Sequence, residues 1–235
     1  MNFKKSTILI AAAAMLTGFT ACNSTTEDTT TYQPLYTTIA TIERTGSSGT
    51  TFITREKDDS PEIIYTTTQT LKAEAKAGMR VGLQYYLPDG ASQWQSGPIT
   101  FTYVGECKGK GGELPVAKAE DSNNWYSDMI QDAVIWRTGK YINAMILVYN
   151  SVEPRVLNMT VDEATLKDKI PQIHLNYTQE SISMMNPTIM FLSYDLSALF
   201  TKQGATDATE VEVHYDLKGQ TKTLLIPRPQ TSDYQ

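Results

Sequence analysis

The chain has 235 residues, with 20 Lys and Arg against 26 Asp and Glu, two His and two Cys, for a formal charge of −6. That balance argues against nucleic acid as a partner and against electrostatic docking on anionic lipid. Two cysteines cannot build a disulfide-dense scaffold or a thiolate zinc cluster, and no metal or cofactor site is expected.

Lys4 and Lys5 precede an apolar run, Ile8 to Leu16, that is too short to cross a bilayer core about 30 Å thick. The pattern reads as a secretory signal over residues 1–21. Ala21 supplies the small residue before Cys22, and the ending resembles a lipobox, with Phe19 where such motifs carry an aliphatic side chain. Cleavage is expected between Ala21 and Cys22, with lipid on Cys22. Each buried methylene contributes about 0.8 kcal/mol, so two or more acyl chains would hold the protein stably on a membrane. Without Lys4 and Lys5 the chain carries 18 basic against 26 acidic residues, a formal −8. Residues 22–34 form a Thr-rich tether with no core-forming pattern. With Cys22 lipidated, Cys107 has no disulfide partner in the chain.

Short β-branched or alternating runs follow: Leu35 to Glu43, Thr50 to Arg55, Ile63 to Thr67, Met79 to Leu87 and Ile99 to Val104. TGSSG, DDSP, PDGASQ and SGP punctuate them as turns, and Leu71 to Gly78 reads as one weakly helical insert. Five such strands predict an all-β, OB-like barrel over 35–118. Gly105 to Pro115 reads as a mobile connector and Ala119 to Asn124 as the boundary. Seven strands are then expected, at Ala133 to Trp136, Tyr141 to Tyr149, Val156 to Val161, Ile173 to Tyr177, Ile189 to Ser193, Glu210 to Tyr215 and Thr221 to Ile226. They suit an antiparallel β-sandwich over 119–235, with one helical turn in Asp162 to Asp168 and a loose tail from Pro227. Two domains of about a hundred residues each fit this length.

Chemistry-bearing patterns are sparse. Gly-x-Ser-x-Gly does not occur, and GECKGKGG lacks the spacing of a phosphate loop. His174 and His214 sit singly in strands; they could meet across a sheet and bind a metal, but side chains facing core or solvent account for them. Glu210 and Glu212 share one strand face, the usual pattern of a solvated surface. The aromatics Tyr85, Tyr86, Trp94, Trp125, Tyr126 and Trp136 carry more information. Trp94 lies in the polar loop GASQWQSG, where a large ring suggests a contact, so Trp94, Tyr85 and Tyr86 are the candidate binding residues.

The front half, through LYTTIATIE, TTFIT and GMRVGLQYYL, resembles the OB domain of the NigD-like family of Bacteroides-type lipoproteins. The back half resembles that family's β-sandwich: Trp136, Gly139, Tyr141 and Asn143 match its Trp-Gly-Tyr-Leu-Asn pattern with Ile142 for Leu. Ser193 to Ser197 match its Ser-Phe-Asp-Leu-Ser run with Tyr194 for Phe. The resemblance implies a two-part β architecture and an envelope location and supplies no catalytic residue. Asp28-Thr29-Thr30 also resembles the short acceptor for O-linked glycans in such bacteria, which makes Thr29 a candidate glycosylation site.

These readings converge on a non-catalytic lipoprotein of the cell envelope, placed at the outer membrane without a choice of face, that binds a protein or glycan. Two alternatives stand beside it. One is a hydrolase of glycans or peptides whose carboxylates meet only in the fold. The other is a fimbrial subunit, which requires Leu35 to Glu43 to be a removable first strand with Arg44 in a cleavable loop.

Overall fold

A computed structural model describes residues 33–58, 60–118, 130–149, 154–179 and 187–234. Ala21, Cys22, Thr29, Trp125, Tyr126 and the 119–124 boundary lie outside the described residues. Pro34–Gln235 forms one unit, and everything described below belongs to it.

The first sheet contains β1 (Tyr36–Gly46), β2 (Gly49–Thr54), β3 (Ile63–Thr67), β4 (Arg80–Tyr86), β5 (Gly97–Pro98) and β6 (Thr100–Glu106), in the order β5-β3-β2-β1-β4-β6. Alternation along β1 and β4 sends Ala40, Ile42, Val81, Leu83 and Tyr85 inward, where they meet Phe52, Ile63, Tyr65, Leu87 and Ile99. Each such side chain removed from water contributes roughly 1.5–3 kcal/mol. Ile99 alone separates β5, at one edge, from β6, at the other, so the sheet has to roll. The edges are bridged without a ladder. The Ile99 amide donates to Thr66 O at 2.8 Å, and the Gln69 side chain binds the Phe101 amide at 2.8 Å and its carbonyl at 3.0 Å. The expected five-stranded barrel is therefore a rolled six-stranded sheet that does not close, because a glutamine side chain stands where ladder pairing would be.

β1 hydrogen-bonds to β2 on one side and β4 on the other. It is a central strand and Arg44 lies within it, so the removable first strand of the fimbrial alternative is absent. Leu71 to Gly78 forms no helix. The backbone instead makes two tight turns, with Ala75 N bonded to Lys72 O and Met79 N to Lys76 O, and Gly78 N is drawn onto Ile42 O at 2.8 Å. Eight residues cannot offset the nucleation cost of a helix when a strand offers partners.

The second half is a sandwich. One sheet joins β7 (Val116–Ala117), β10 (Pro154–Asp162), β11 (Gln172–Gln179), β13 (Glu210–Leu217) and β14 (Gln220–Pro227) in the order β14-β13-β11-β10-β7. The other joins β8 (Asp132–Thr138), β9 (Tyr141–Tyr149) and β12 (Pro187–Asp195) in the order β12-β9-β8. The helical turn expected near Asp162 is a 3-10 turn, Glu163–Thr165, capped by the Asp162 carboxylate. A helix not anticipated from the sequence, α1 (Ser197–Thr201), places Leu199 and Phe200 in the core between the sheets. The sandwich is not wholly antiparallel. β11 and β13 run parallel because β12 crosses to the other sheet between them, and β7 joins β10 in parallel.

The three-stranded sheet forms a middle layer. Ile142, Ala144, Ile146 and Leu192 face the five-stranded sheet, whereas Met145, Ile189 and Phe191 pack against Ile39 and Cys107 of the front half. Gly82 on β4 makes this approach possible, since a Cβ there would lie 2.4 Å from Cγ of the Phe191 ring. The expected connector Gly105 to Pro115 is fastened to β12. Lys108 N bonds Phe191 O at 2.8 Å, Gly111 N bonds Ser193 O at 2.8 Å, and Asp195 N bonds Gly112 O at 2.8 Å.

Candidate functional site

β4 opens with Arg80, on the face opposite Val81, Leu83 and Tyr85, so the strand's outer face carries a guanidinium into the junction with the middle layer. Arg80 is 3% exposed. Its Nε donates to Ser193 Oγ at 3.0 Å, Nη1 to Thr41 Oγ1 at 2.9 Å and Nη2 to Asn143 Oδ1 at 2.7 Å. Asn143 is fixed in turn: it accepts from Ser193 Oγ at 2.9 Å and donates through Nδ2 to Thr138 Oγ1 at 2.9 Å. The Tyr141 ring covers the guanidinium with its centroid 4.6 Å from Cζ. Burial pulls the Arg80 pKa down to about 10, and Cys107 and Tyr141 offset part of that. Among the described residues no carboxylate forms an ion pair with it, so neutral oxygens and a ring face hold a buried cation.

Beside Arg80 opens a cleft of about 320 Å³. Its walls come from Thr41, Ile53, Thr54, Arg55 and Glu62 of the first sheet and its loop, from Thr138, Gly139, Lys140 and Tyr141 of the β8–β9 turn, and from Ser232 and Asp233 near the C-terminus. Gly139 adopts φ +53°, the left-handed turn geometry that favours glycine. Arg55 bonds Glu62 at 3.1 Å and lies 3.8 Å from Asp233. Arg137, whose side chain is 2% exposed, donates to Gly139 O at 2.6 Å and lies 3.5 Å from Asp58 and 3.6 Å from Asp233. Lys140 lies 3.4 Å from Asp195.

The tail that delivers Asp233 is fastened by contacts, although the sequence suggested a loose end. Arg228 donates to the carbonyls of Thr206 at 2.7 Å and Ala208 at 3.2 Å and lies over the Phe200 ring. A 3-10 turn, Thr231–Tyr234, then presents Asp233 to the cleft.

The residues singled out by sequence lie elsewhere. Tyr85 has no exposed surface; its hydroxyl donates to Tyr65 at 3.0 Å, and its ring lies 4.9 Å from the Tyr65 ring. Desolvation raises the pKa of both tyrosines. Tyr85 is a core residue rather than a contact. Trp94 is half-buried, packs against the same core and adopts φ +63°, while the half-buried Tyr86 ends β4. These three do not meet Arg80 or the cleft. Cys107 is buried, and desolvation pushes its thiol up to about 12.

His174 and His214, read as single strand residues, are register partners with rings 5.1 Å apart, and His214 Nε2 lies 2.9 Å from Glu212. Desolvation lowers the His174 pKa, and His214 lowers it further. Among the described residues no group of three or more His, Cys, Asp or Glu could hold a metal ion.

Arg55, Arg80, Arg137 and Asp233 were not legible as a site. One signal existed among the residues that carry the family resemblance: Tyr141, Asn143 and Ser193 hold Arg80, and Gly139 lines the cleft beside it. Those short motifs record the junction between the layers.

No protein-family model and no curated protein matches the chain. Solved structures do. A Bacteroides vulgatus protein of unknown function is 15% identical with a TM-score of 0.56, covering 85% of this chain and 93% of that one. A NigD-like immunity protein from Bacteroides caccae is 12% identical with a TM-score of 0.51, covering 82% of this chain and 93% of that one. A candidate lipoprotein from Bacteroides fragilis is 13% identical with a TM-score of 0.50, covering 84% of this chain and 100% of that one. This chain therefore shares the all-β fold of these Bacteroides proteins, a NigD-like immunity protein among them.

Proposed function

We propose that this protein is a lipid-anchored, non-catalytic binding module of the bacterial envelope, with the junction cleft as its recognition surface for a protein or glycan. Two lines of support are the Cys22 signal in the sequence and a shared fold with structures described as a candidate lipoprotein and an immunity protein. Among the described residues no helix is long and apolar enough to cross a membrane. The attachment we propose, from the Ala21-Cys22 motif, is lipid on Cys22. The proposed address is the outer membrane, with Thr29 as a glycan acceptor in the tether.

The observation that carries the reading is the state of the cleft's ionisable groups. Glu62 and Asp233, the two carboxylates lining it, both engage Arg55, and Lys140 engages Asp195. Neither His nor Cys is among the lining residues. The cleft therefore presents matched charges and hydroxyls, the equipment of recognition, where a hydrolase would set an acid and a nucleophile across a gap.

The test is metabolic labelling with a palmitate analogue in cells making the full chain or Cys22→Ala. Label and membrane fractionation are expected in the first and neither in the second. An unlabelled, soluble full chain overturns the anchor. Turnover of glycan or peptide by the purified protein, abolished by one cleft substitution, overturns the non-catalytic reading.

A further inference from the structure

The chain holds two histidines, and β11 and β13 bring them together. Alternation sends Ile173, Leu175, Val211 and Val213 into the sandwich core, so His174 and His214 stand on the outer face of the five-stranded sheet. Both are half-buried, and their rings stack with centroids 5.1 Å apart at an interplanar angle of 27°. Glu212 lies 2.9 Å from His214 Nε2. Among the described residues the other charged groups on this face are Asp162 on β10 and Asp216 on β13. The outward residues of β14, Thr221, Thr223 and Leu225, carry no charge, nor do Gln172 and Asn176 on β11.

The pair sits at a fork. β11 and β13 are in register at Gln172↔Glu212, Ile173↔Val213 and His174↔His214, and the pairing ends there although both strands continue. Beyond it β13 leans to the other sheet, where Leu217 bridges to Ile130 and Lys218 N bonds Ile130 O at 3.0 Å. The next outward residues are Asn176, 1% exposed, and Asp216, and each leaves its Oδ1 buried without a hydrogen-bond partner among the described residues. Asn176 Nδ2 donates to Asn158 at 3.0 Å and Thr160 at 3.3 Å, both on β10, so its Oδ1 points away from β10 toward the fork. Buried acceptors without donors are costly and gain from hydration.

We propose that the His174–His214 stack is an acid-sensitive latch: with both rings charged, the fork runs back through the seam and parts the β13–β14 hairpin from β11. One proton is accommodated, since a charged His214 faces the Glu212 carboxylate. A second sets two like charges face to face in half-buried surroundings. Parting the strands separates those charges and hydrates Asn176 and Asp216 in the same step. Desolvation and then His214 hold the His174 pKa below its ordinary 6.5, against a smaller opposing pull from Asp162. The open form therefore takes up the second proton first, and the closed form loses stability as pH falls below about 6.5. The β11–β13 seam alone links the hairpin to β10 and β7 within the sheet, so this is where the charge acts on the fold.

Two measurements on the full chain test the latch. Proton NMR of the two imidazole C2 protons reads the stack, and amide hydrogen exchange in β13, corrected for its intrinsic pH dependence, reads the seam. Two separated titrations are expected. Exchange in β13, referenced to β9, is expected to be about tenfold or more faster at pH 5 than at pH 7.5. His214→Phe keeps a ring in the stack without a titratable nitrogen, and is expected to remove that acid response while β13 stays protected at pH 7.5. If His214→Phe does not fold, His174→Gln takes its place with the same expectation. Overlapping titrations, exchange in β13 that does not respond to acid, or an unchanged response in the variant overturns the proposal. The last outcome assigns the response to Asp162, Glu212 and Asp216 instead.

Discussion

The two faces of β4 bury their side chains for opposite reasons. On the inner face Tyr85 is enclosed by Tyr36 and Tyr65, and its hydroxyl is satisfied within the same sheet, by Tyr65 across 20 residues of chain. On the outer face Arg80 is enclosed just as fully, but its partners come from β1, β9 and β12, up to 113 residues away. The inner face would keep its chemistry if the sheet stood alone, whereas the outer face exists only once the layers dock. Aromatic content therefore marks the core here, and an isolated arginine in an apolar strand marks the place where a site can form.

The sharpest way to break this contrast is at Asn143. Asn143→Leu keeps the volume and removes the acceptor of Arg80 Nη2 and the donor to Thr138. An orphaned buried guanidinium N–H is costly, so a loss of about 3 kcal/mol is expected in urea unfolding. Arg80→Met is expected to cost less, because it removes the desolvated charge along with its hydrogen bonds, and Ser193 still donates to Asn143. A larger loss from Arg80→Met than from Asn143→Leu would show that the cation itself, rather than its satisfaction, holds the layers together.

Much of the fold was legible because alternation and turn chemistry are local. Ile63–Thr67 and Tyr141–Tyr149 form strands with the bounds that their patterns suggest. Leu71 to Gly78 misled because its Ala, Lys and Glu content favours a helix, while the deciding partner, Ile42 O, lies in another strand. α1 was missed because its five residues follow directly on a strand. The site was less legible still. Arg55, Arg80 and Arg137 look like ordinary surface charges in a sequence, and only the stacking of three sheets brings two of them into the interior. Trp94 attracted attention because a ring in a polar loop suggests a contact, yet the loop folds back and returns the ring to the core.

A second, smaller effect separates the faces by pH. Cys107, Tyr65 and Tyr85 have raised pKa values in the folded chain, each chiefly through desolvation. For such groups the unfolded chain loses its proton first. Their contribution is therefore complete below the unfolded pKa, about 9 for Cys107 and about 10 for the tyrosines, and is lost as pH rises toward the folded values. Arg80 runs the other way: its pKa falls from 12.5 to about 10, so between those values the folded chain sheds a proton that the unfolded chain keeps, and stability rises with pH. Stability is expected to fall from about pH 9, with Cys107 responsible for roughly 2–3 kcal/mol by about pH 11. Cys107→Ala is expected to flatten that first part of the decline. An unchanged slope in the variant would show that the thiol is not desolvated at the junction.

The smallest effect concerns Trp94, and it inverts the usual ranking of substitutions. Removing the ring costs packing against the first core in either Trp94→Ala or Trp94→Gly. The backbone there sits at φ +63°, where alanine is strained and glycine is not. Trp94→Gly is therefore expected to be more stable than Trp94→Ala by about 0.5–1 kcal/mol, although glycine ordinarily loses more entropy on folding. Paired chemical denaturation of the two variants reads the difference directly. An alanine variant as stable as the glycine one would mean that the loop relaxes once the ring is gone. In that case the ring, rather than the turn chemistry of Pro88 to Gln95, holds the loop against the sheet, and the aromatic end of the molecule would be the more adaptable of the two regions.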